Sequence, residues 1–186
     1  MAATSESNAG KRYRIVVSVG TDHHPFDRLV QWVDQWSALH PEVTIFMQCG
    51  TSTVPSRVPS AEIVAHGELL DLFASADVVV SHGGPSTVMD ARGSGRLPVV
   101  VPRDPGRGEH IDGHQMRFAD HLELHGLARL AGSEFEFRQL LDEALEDPSA
   151  FCIDWAEAEA PSGVVQFGAV VDQLLGVNTP IDGEAR

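Results

Sequence analysis

The chain has 186 residues, and its 27 acidic residues against 13 lysines and arginines give a formal net charge of −14 at pH 7. This balance argues against general binding to nucleic acid or to an anionic membrane surface. Two cysteines, Cys49 and Cys152, provide no disulfide framework and fit a reducing cytoplasm. No apolar run reaches the length of about 18 residues that a membrane span needs, and Met1–Gly10 lacks the apolar centre of a signal peptide.

Strand-like and helix-like patterns alternate along the chain, which predicts an α/β fold. In chain order we predict strands at 13–19, 43–47, 62–65, 77–81, 97–102 and 127–130, and helices at 26–36, 67–75, from 85 onward, 112–125, 134–146 and 164–175. The expected architecture is a single Rossmann-like parallel sheet with helices on both faces. We expect one domain at 12–176, between flexible tails at 1–11 and 177–186.

The most informative segment begins with the apolar strand at 77–81. It leads into the turn His82-Gly83-Gly84 and then into a helix that begins at Pro85. Glycines let the backbone turn sharply and approach a ligand closely, and proline suits the first position of a helix. The free amides of that first turn, with the hydroxyls of Ser86 and Thr87, are well placed to bind a diphosphate.

Asp90 follows Ser86 by four residues and Thr87 by three, so all three lie on one helix face. A carboxylate at this position can accept hydrogen bonds from two vicinal hydroxyls, such as those of a ribose. The alternative interpretation is an ordinary strand–helix turn with a capping serine.

The spacing of His82, Gly84, Thr87 and Asp90 resembles the donor-site signature of the inverting GT-B glycosyltransferases. That signature continues with a Gly/Pro step, an apolar strand that ends in proline, and an acid followed by glutamine. The corresponding segments here are Gly95–Pro98, Val99–Pro102 and Asp112–Gln115. Within this superfamily the chain is most similar to the glycosyltransferase family 28 C-terminal domain, over about residues 14–130, and to the small donor-binding subunits of two-subunit N-acetylglucosaminyltransferases and exopolysaccharide glycosyltransferases.

The resemblance implies a role for each residue of the signature. The catalytic set would be His82, Asp90 and Gln115: His82 would donate a hydrogen bond to the departing diphosphate, Asp90 would hold the ribose, and Gln115 would bind the donor sugar. Asp112 and His114 would assist Gln115. The donor phosphates would lie beside the remaining residues, which are Gly20, Thr21, Gly83, Gly84, Ser86 and Thr87.

The resemblance also implies the reaction and its partners. The donor would be a UDP-sugar, with no metal and no further cofactor, and the chain would be a cytoplasmic, catalytic subunit. An acceptor-binding, membrane-associated protein subunit would supply the acceptor and recruit this chain to the inner face of the membrane. Two alternatives remain open: a non-catalytic sugar-nucleotide-binding or regulatory module, and a UDP-sugar epimerase on the same fold.

Several polar features have no assigned role in this scheme. The segment Asp22-His23-His24 departs from the family pattern, and the loop Arg103–Glu109 is predicted to act as a flexible lid or a phosphate clamp. Four arginines cluster around the proposed site, where an anionic ligand would need them, namely Arg92, Arg96, Arg103 and Arg107. The alternative for each of them is an ordinary solvated surface position. The pairs His110/His114 and His121/His125 are each four residues apart, a spacing that suits two metal ligands on one helix face. No third ligand lies at a suitable spacing, so no metal is expected. His66 is predicted to have a structural role in a loop.

Overall fold

A parallel sheet of six strands organises residues 14–153, the part of the chain that the computed structural model describes. The strands are β1 (Ile15–Ser18), β2 (Ile45–Gln48), β3 (Ser60–Ala61), β4 (Val78–Ser81), β5 (Val99–Val100) and β6 (Arg129–Leu130). Their order is β3-β2-β1-β4-β5-β6, and every neighbouring pair is parallel. The sheet therefore grows in opposite directions from β1 and from β4, which leaves a crevice at the carboxyl ends of these two strands.

Within residues 14–153, five α-helices accompany the sheet. They are α1 (Asp27–Leu39), α2 (His66–Ser75), α3 (Pro85–Gly93), α4 (His114–Leu124) and α5 (Glu134–Glu146). The best-defined start is that of α5, where Ser133 and Glu136 form a reciprocal capping box. Single 3₁₀ turns occur at Pro105–Arg107 and Pro148–Phe151.

The three central strands are buried along their whole length, as expected when helices cover both faces of a parallel sheet. Successive side chains point to opposite faces. Ile15 and Val17 therefore pack in the larger core with Trp36 of α1, whereas Val16 packs in the second core with Phe73 of α2.

The predicted single Rossmann-like sheet with helices on both faces is confirmed, but one predicted strand is wrong. Residues 62–65 are not a strand; the pairing with β2 occurs earlier, at Ser60–Ala61. The amide of Val64 donates to the side chain of Gln48 (3.1 Å) and not to the backbone of β2, and the side chain of Ile63 is 63% exposed. The chain has already turned toward α2 at this point.

The remaining elements agree with the sequence patterns apart from their ends; α4, for example, begins at His114 rather than at residue 112. The predicted helix at 164–175 and the predicted tails at 1–11 and 177–186 lie outside the described residues. Among the helices of residues 14–153, none has both the length and the apolar character that crossing a membrane requires.

Candidate functional site

Two glycine turns meet around the imidazole of His82 at the crevice between β1 and β4. A Cβ atom on Gly20, which follows β1, would lie 2.4 Å from Cε1 of His82, and a Cβ on Gly84 would lie 2.3 Å from its Nε2. Gly20 and Gly83 also have φ angles of +78° and +83°, which disfavour other residues. The His82 ring thus fills the space that side chains at Gly20 and Gly84 would need.

The His82 side chain is buried and uncharged. Burial, assisted by the positive charge of Arg103, lowers the pKa of His82 to about 4. Its Nδ1 atom has no hydrogen-bond partner among the described residues. At neutral pH this ring can donate a single hydrogen bond, and it carries no positive charge.

The first turn of α3 follows directly from this glycine turn. Gly84 is the N-cap residue, Pro85 occupies the start of the helix, and no side chain caps this end. Ser86 is exposed, whereas Thr87 is only 8% exposed, so its hydroxyl is less accessible than the sequence suggests. The uncapped amides of this turn form an arrangement that suits an anion.

Asp90, one turn further along α3, contacts His66, which the sequence predicts to lie in a loop. His66 is the first residue of α2, and its Nε2 lies 3.1 Å from Oδ2 of Asp90. The predicted loop role for His66 is therefore wrong. The two helices pack on the same face of the sheet, which brings the start of α2 near α3.

The predicted sugar-binding residues surround the start of α4. Oδ1 of Asp112 accepts a hydrogen bond from the amide of His114 and lies 2.8 Å from its Nδ1. The bond from the His114 amide, with further help from the ring, lowers the pKa of Asp112. The adjacent Gln115 has a buried Oε1 without a hydrogen-bond partner in residues 14–153. Gln115 therefore has an unpaired acceptor that is closed to solvent, while Asp112 and His114 are already paired.

Arg103 is completely buried, and its side chain joins its own loop to the connection between β1 and α1. Its guanidinium donates to the backbone carbonyls of Val19, His24 and Glu109 at 2.7–2.9 Å, and it lies over the ring of Phe26. These bonds leave Arg103 unsuited to contact a ligand phosphate.

A second contact fixes the other end of the loop Arg103–Glu109. The carboxylate of Glu109, itself buried, pairs with Arg28 at 2.8 Å and accepts from the amide of Asp104. Both ends of the loop are thus anchored by buried side chains, which argues against the predicted flexible lid. The alternative role as a phosphate clamp stays a prediction.

The other three arginines of the predicted cluster are also occupied. Arg92 donates to the carbonyl of Leu127, and Arg96 donates to that of Ala74. Arg107, which is exposed, pairs with Asp104. Arg92 and Arg96 thus connect separate parts of the fold, and Arg107 pairs within its own loop, so the expected arginine lining of the site is not formed.

Histidines and aspartates that the sequence signature did not include lie close together beside these elements. Oδ1 of Asp22 lies 2.6 Å from Nδ1 of His24, and Oδ2 of Asp22 lies 3.7 Å from Nε2 of His110. Burial raises the pKa of Asp22, but hydrogen bonds from the amide and ring of His24, with the charge of Arg103, outweigh it and lower that pKa to about 2. In the sequence, the segment Asp22-His23-His24 is noted for its departure from the family pattern and His110 for its spacing from His114, and no local signal joins the two.

Solved structures with the same fold include glycosyltransferases and an epimerase. The calicheamicin glycosyltransferase CalG4 matches with a TM-score of 0.58 and 16% identity, over 94% of this chain and 45% of that one. Acinetobacter baumannii MurG matches with a TM-score of 0.53 and 19% identity, over 77% of this chain and 44% of that one. The UDP-GlcNAc 2-epimerase of Neisseria meningitidis, bound to UDP-GlcNAc, matches with a TM-score of 0.53 and 13% identity, over 90% of this chain and 45% of that one. The chain thus spans less than half the length of each, and at these identities the likeness establishes the fold alone.

The sequence itself identifies the family. No curated protein sequence matches the chain significantly. The family model described as the glycosyltransferase family 28 C-terminal domain, however, matches residues 14–150, which is most of the chain and nearly all of the described part. This protein is therefore a member of the glycosyltransferase family 28 C-terminal domain family, with the fold of the C-terminal half of a GT-B glycosyltransferase.

Proposed function

We propose that the chain is the donor-binding, catalytic part of an inverting glycosyltransferase that uses a UDP-sugar. The observation that carries the proposal is the convergence of two glycine turns, an uncharged His82 and the uncapped start of α3 at the crevice between β1 and β4. This is where open α/β sheets bind nucleotides, and membership of family 28 supports the same assignment.

The diphosphate of the donor lies, in this proposal, against the backbone of Gly20–Thr21 and the first turn of α3. His82 donates a hydrogen bond to the departing diphosphate as a neutral imidazole. Because its pKa is about 4, it does so without contributing a formal positive charge. The amides at the start of α3 provide the remaining stabilisation, since no side chain competes for them.

Asp90 and Gln115 orient the two sugars of the donor. Asp90 accepts hydrogen bonds from the ribose hydroxyls and is positioned by its contact with His66. Gln115 accepts from a hydroxyl of the transferred hexosyl or N-acetylhexosaminyl group through its unpaired Oε1. The pair Asp112–His114 supports the start of α4, from which Gln115 projects.

The transfer itself is a direct displacement. The oxygen of an acceptor hydroxyl forms a bond to the anomeric carbon as the bond from that carbon to the diphosphate oxygen breaks. UDP leaves with the electron pair, and the acceptor proton goes to a general base on the acceptor-binding half. No metal takes part in this displacement.

The acceptor-binding half belongs, in our proposal, to a separate membrane-associated subunit that carries a lipid-linked or glycan acceptor. It recruits this chain from the cytoplasm to the inner face of the membrane. This part of the proposal draws on the resemblance to the small subunits of family 28. We therefore expect little transfer by the chain alone.

Calorimetric titration tests the donor site directly. UDP, UDP-N-acetylglucosamine, UDP-glucose, GDP-mannose and NAD are titrated into the purified chain, and we expect a preference for UDP-sugars. Asp90→Ala should weaken that binding about tenfold or more, the effect of losing a charged hydrogen-bond acceptor. Asp120→Ala, at an exposed position of α4, is the matched control. A preference for NAD, or equal binding by Asp90→Ala, would refute the proposal.

A transfer assay distinguishes the two alternatives. With the acceptor-binding subunit present, we expect release of UDP coupled to glycosylation of the acceptor and loss of this turnover in Gln115→Ala. UDP-sugar binding without turnover would favour a non-catalytic module. Interconversion of the sugar without any acceptor would favour an epimerase, which the fold shared with a UDP-GlcNAc 2-epimerase keeps in consideration.

A further inference from the structure

We propose that Asp22, His23, His24 and His110 form a binding site for a divalent transition-metal ion such as Zn²⁺. These four residues are called the histidine–aspartate cluster below. The proposal goes beyond the donor site: the ion has no part in the displacement, and its binding can be measured without any nucleotide.

The first three ligands come from one turn. Asp22, His23 and His24 each place a ligand atom within 4.8 Å of the other two. Nδ1 of His23 lies 3.7 Å from Oδ1 of Asp22. Ligand atoms around a tetrahedral zinc ion are about 3.3 Å apart, given metal–ligand bonds of about 2 Å. Small side-chain rotations therefore suffice, and His23, with a side chain 84% exposed, is free to make them.

The fourth ligand comes from a different loop, about 85 residues away in sequence. His110 places Nε2 3.7 Å from Oδ2 of Asp22, and its ring centroid lies 6.0 Å from that of His24. One ion bound to a nitrogen of each ring can bridge about this distance. The two loops are held in place by Arg103, which bonds to the carbonyls of both His24 and Glu109.

The orientation of two imidazoles suits an ion shared with Asp22. Nδ1 of His24 lies 2.6 Å from Oδ1 of Asp22, so Nδ1 is the atom of His24 that can bind the same ion as this carboxylate. The ring of His110 is held from its opposite edge, where the amide of Asp112 donates to Nδ1 at 3.3 Å, and its Nε2 edge faces Asp22. Groups behind a ligating histidine commonly fix the orientation of its ring in metal sites.

The chemistry of the ligands selects the class of ion. Three imidazoles and one carboxylate suit Zn²⁺, Co²⁺ or Ni²⁺. Mg²⁺ and Ca²⁺ require six or more oxygen ligands, whereas Asp22 is the one carboxylate among these four residues.

Titration of the tag-free, EDTA-treated full chain with Zn²⁺ tests the proposal, with Mg²⁺ as the comparison ion. We expect one Zn²⁺ per chain and no measurable Mg²⁺ binding. Co²⁺ should give the visible absorption of a site with four or five ligands. His24→Ala and His110→Ala should each weaken Zn²⁺ binding at least tenfold, the scale of losing a group that determines metal affinity.

Two further variants keep the test decisive. His23→Ala changes an exposed residue and should fold normally, so a loss of affinity there cannot be attributed to unfolding. His125→Ala removes an exposed histidine that is paired with His121 on α4, away from the cluster, and should bind Zn²⁺ like the parent chain. The proposal fails if Zn²⁺ does not bind, or if binding survives in His23→Ala, His24→Ala and His110→Ala alike.

Discussion

The contact between Nε2 of His66 and Oδ2 of Asp90, 3.1 Å long, joins the start of α2 to the middle of α3 beside the candidate donor site. The side chain of His66 is 69% exposed and that of Asp90 is 25% exposed. An exposed pair of this kind contributes at most about 1 kcal/mol to stability. The main effect of the contact is to hold the Asp90 carboxylate, proposed to bind ribose, in one rotamer.

Replacing His66 should therefore impair nucleotide binding more than folding. We expect His66→Ala to weaken UDP-sugar binding by about threefold to tenfold, equivalent to about 1 kcal/mol, and to change the free energy of unfolding by less than about 1 kcal/mol. Calorimetry and urea unfolding measure the two effects. His66→Gln, which retains a donor, should restore part of the affinity. Equal affinity in the parent chain and His66→Ala would show that His66 does not position Asp90.

A side chain at Gly84 should disrupt the turn around His82. A Cβ atom there would lie 2.3 Å from Nε2 of His82, so Gly84→Ala must displace a fully packed ring. We expect a loss of about 1–3 kcal/mol in the free energy of unfolding, the usual cost of overpacking, together with loss of nucleotide binding. Urea denaturation followed by intrinsic fluorescence measures the first effect.

Two comparison variants separate this clash from the general effect of adding a methyl group. Gly67→Ala introduces a Cβ with no atom within 4 Å, in the first turn of α2, and should be neutral or slightly stabilising. In a chain that already carries His82→Ala, Gly84→Ala should lower the free energy of unfolding much less than it does in the parent chain. Additive costs in the double variant would mean that the glycine is required for another reason.

The central strands and the glycine turn can be predicted from sequence because their signals are local. Val78–Ser81 is a continuous apolar run, and the turn at residues 82–84 lies directly between it and a proline-initiated helix. The strand β3 could not be placed because only two residues pair with β2, and the pairing is set by tertiary contacts.

The predicted roles of charged residues were less accurate than the predicted strands. Arginines in a polar, glycine-containing loop normally indicate an exposed surface. Arg103 is instead buried, and two of its three acceptors, the carbonyls of Val19 and His24, lie far from it in the sequence. Similarly, the contact of His66 with Asp90 depends on the packing of α2 beside α3, which no local pattern specifies.

The buried His82 should make stability fall between pH 6.5 and pH 4. Its pKa is about 4 in the folded chain against 6.5 for an ordinary histidine. The unfolded chain therefore binds a proton at a pH where the folded chain does not. The stabilisation is fully present above pH 6.5 and is lost as the pH falls toward 4, by at most about 3 kcal/mol.

Urea unfolding of the parent chain and His82→Asn at pH 7.5 and pH 4.5 measures this contribution. Asparagine does not titrate, so the loss of stability between the two pH values should be smaller in the variant by about 1–3 kcal/mol. Asp22, whose pKa is about 2, stays ionised across this range in the folded chain and affects both proteins alike. Identical pH dependence in the two proteins would mean that His82 is not buried in its neutral form.

Arg103 should be required for folding rather than for binding phosphate. Arg103→Gln removes bonds to three backbone carbonyls, of Val19, His24 and Glu109. Leaving a buried acceptor unpaired costs about 1–3 kcal/mol, so we expect a total loss of about 3 kcal/mol or more in the free energy of unfolding. Arg107→Gln, on the same loop but exposed, should change stability by less than about 0.5 kcal/mol and leave UDP-sugar binding unaltered. A variant of Arg103 that folds with normal stability but binds nucleotide weakly would reverse this assignment and restore the role of a phosphate ligand.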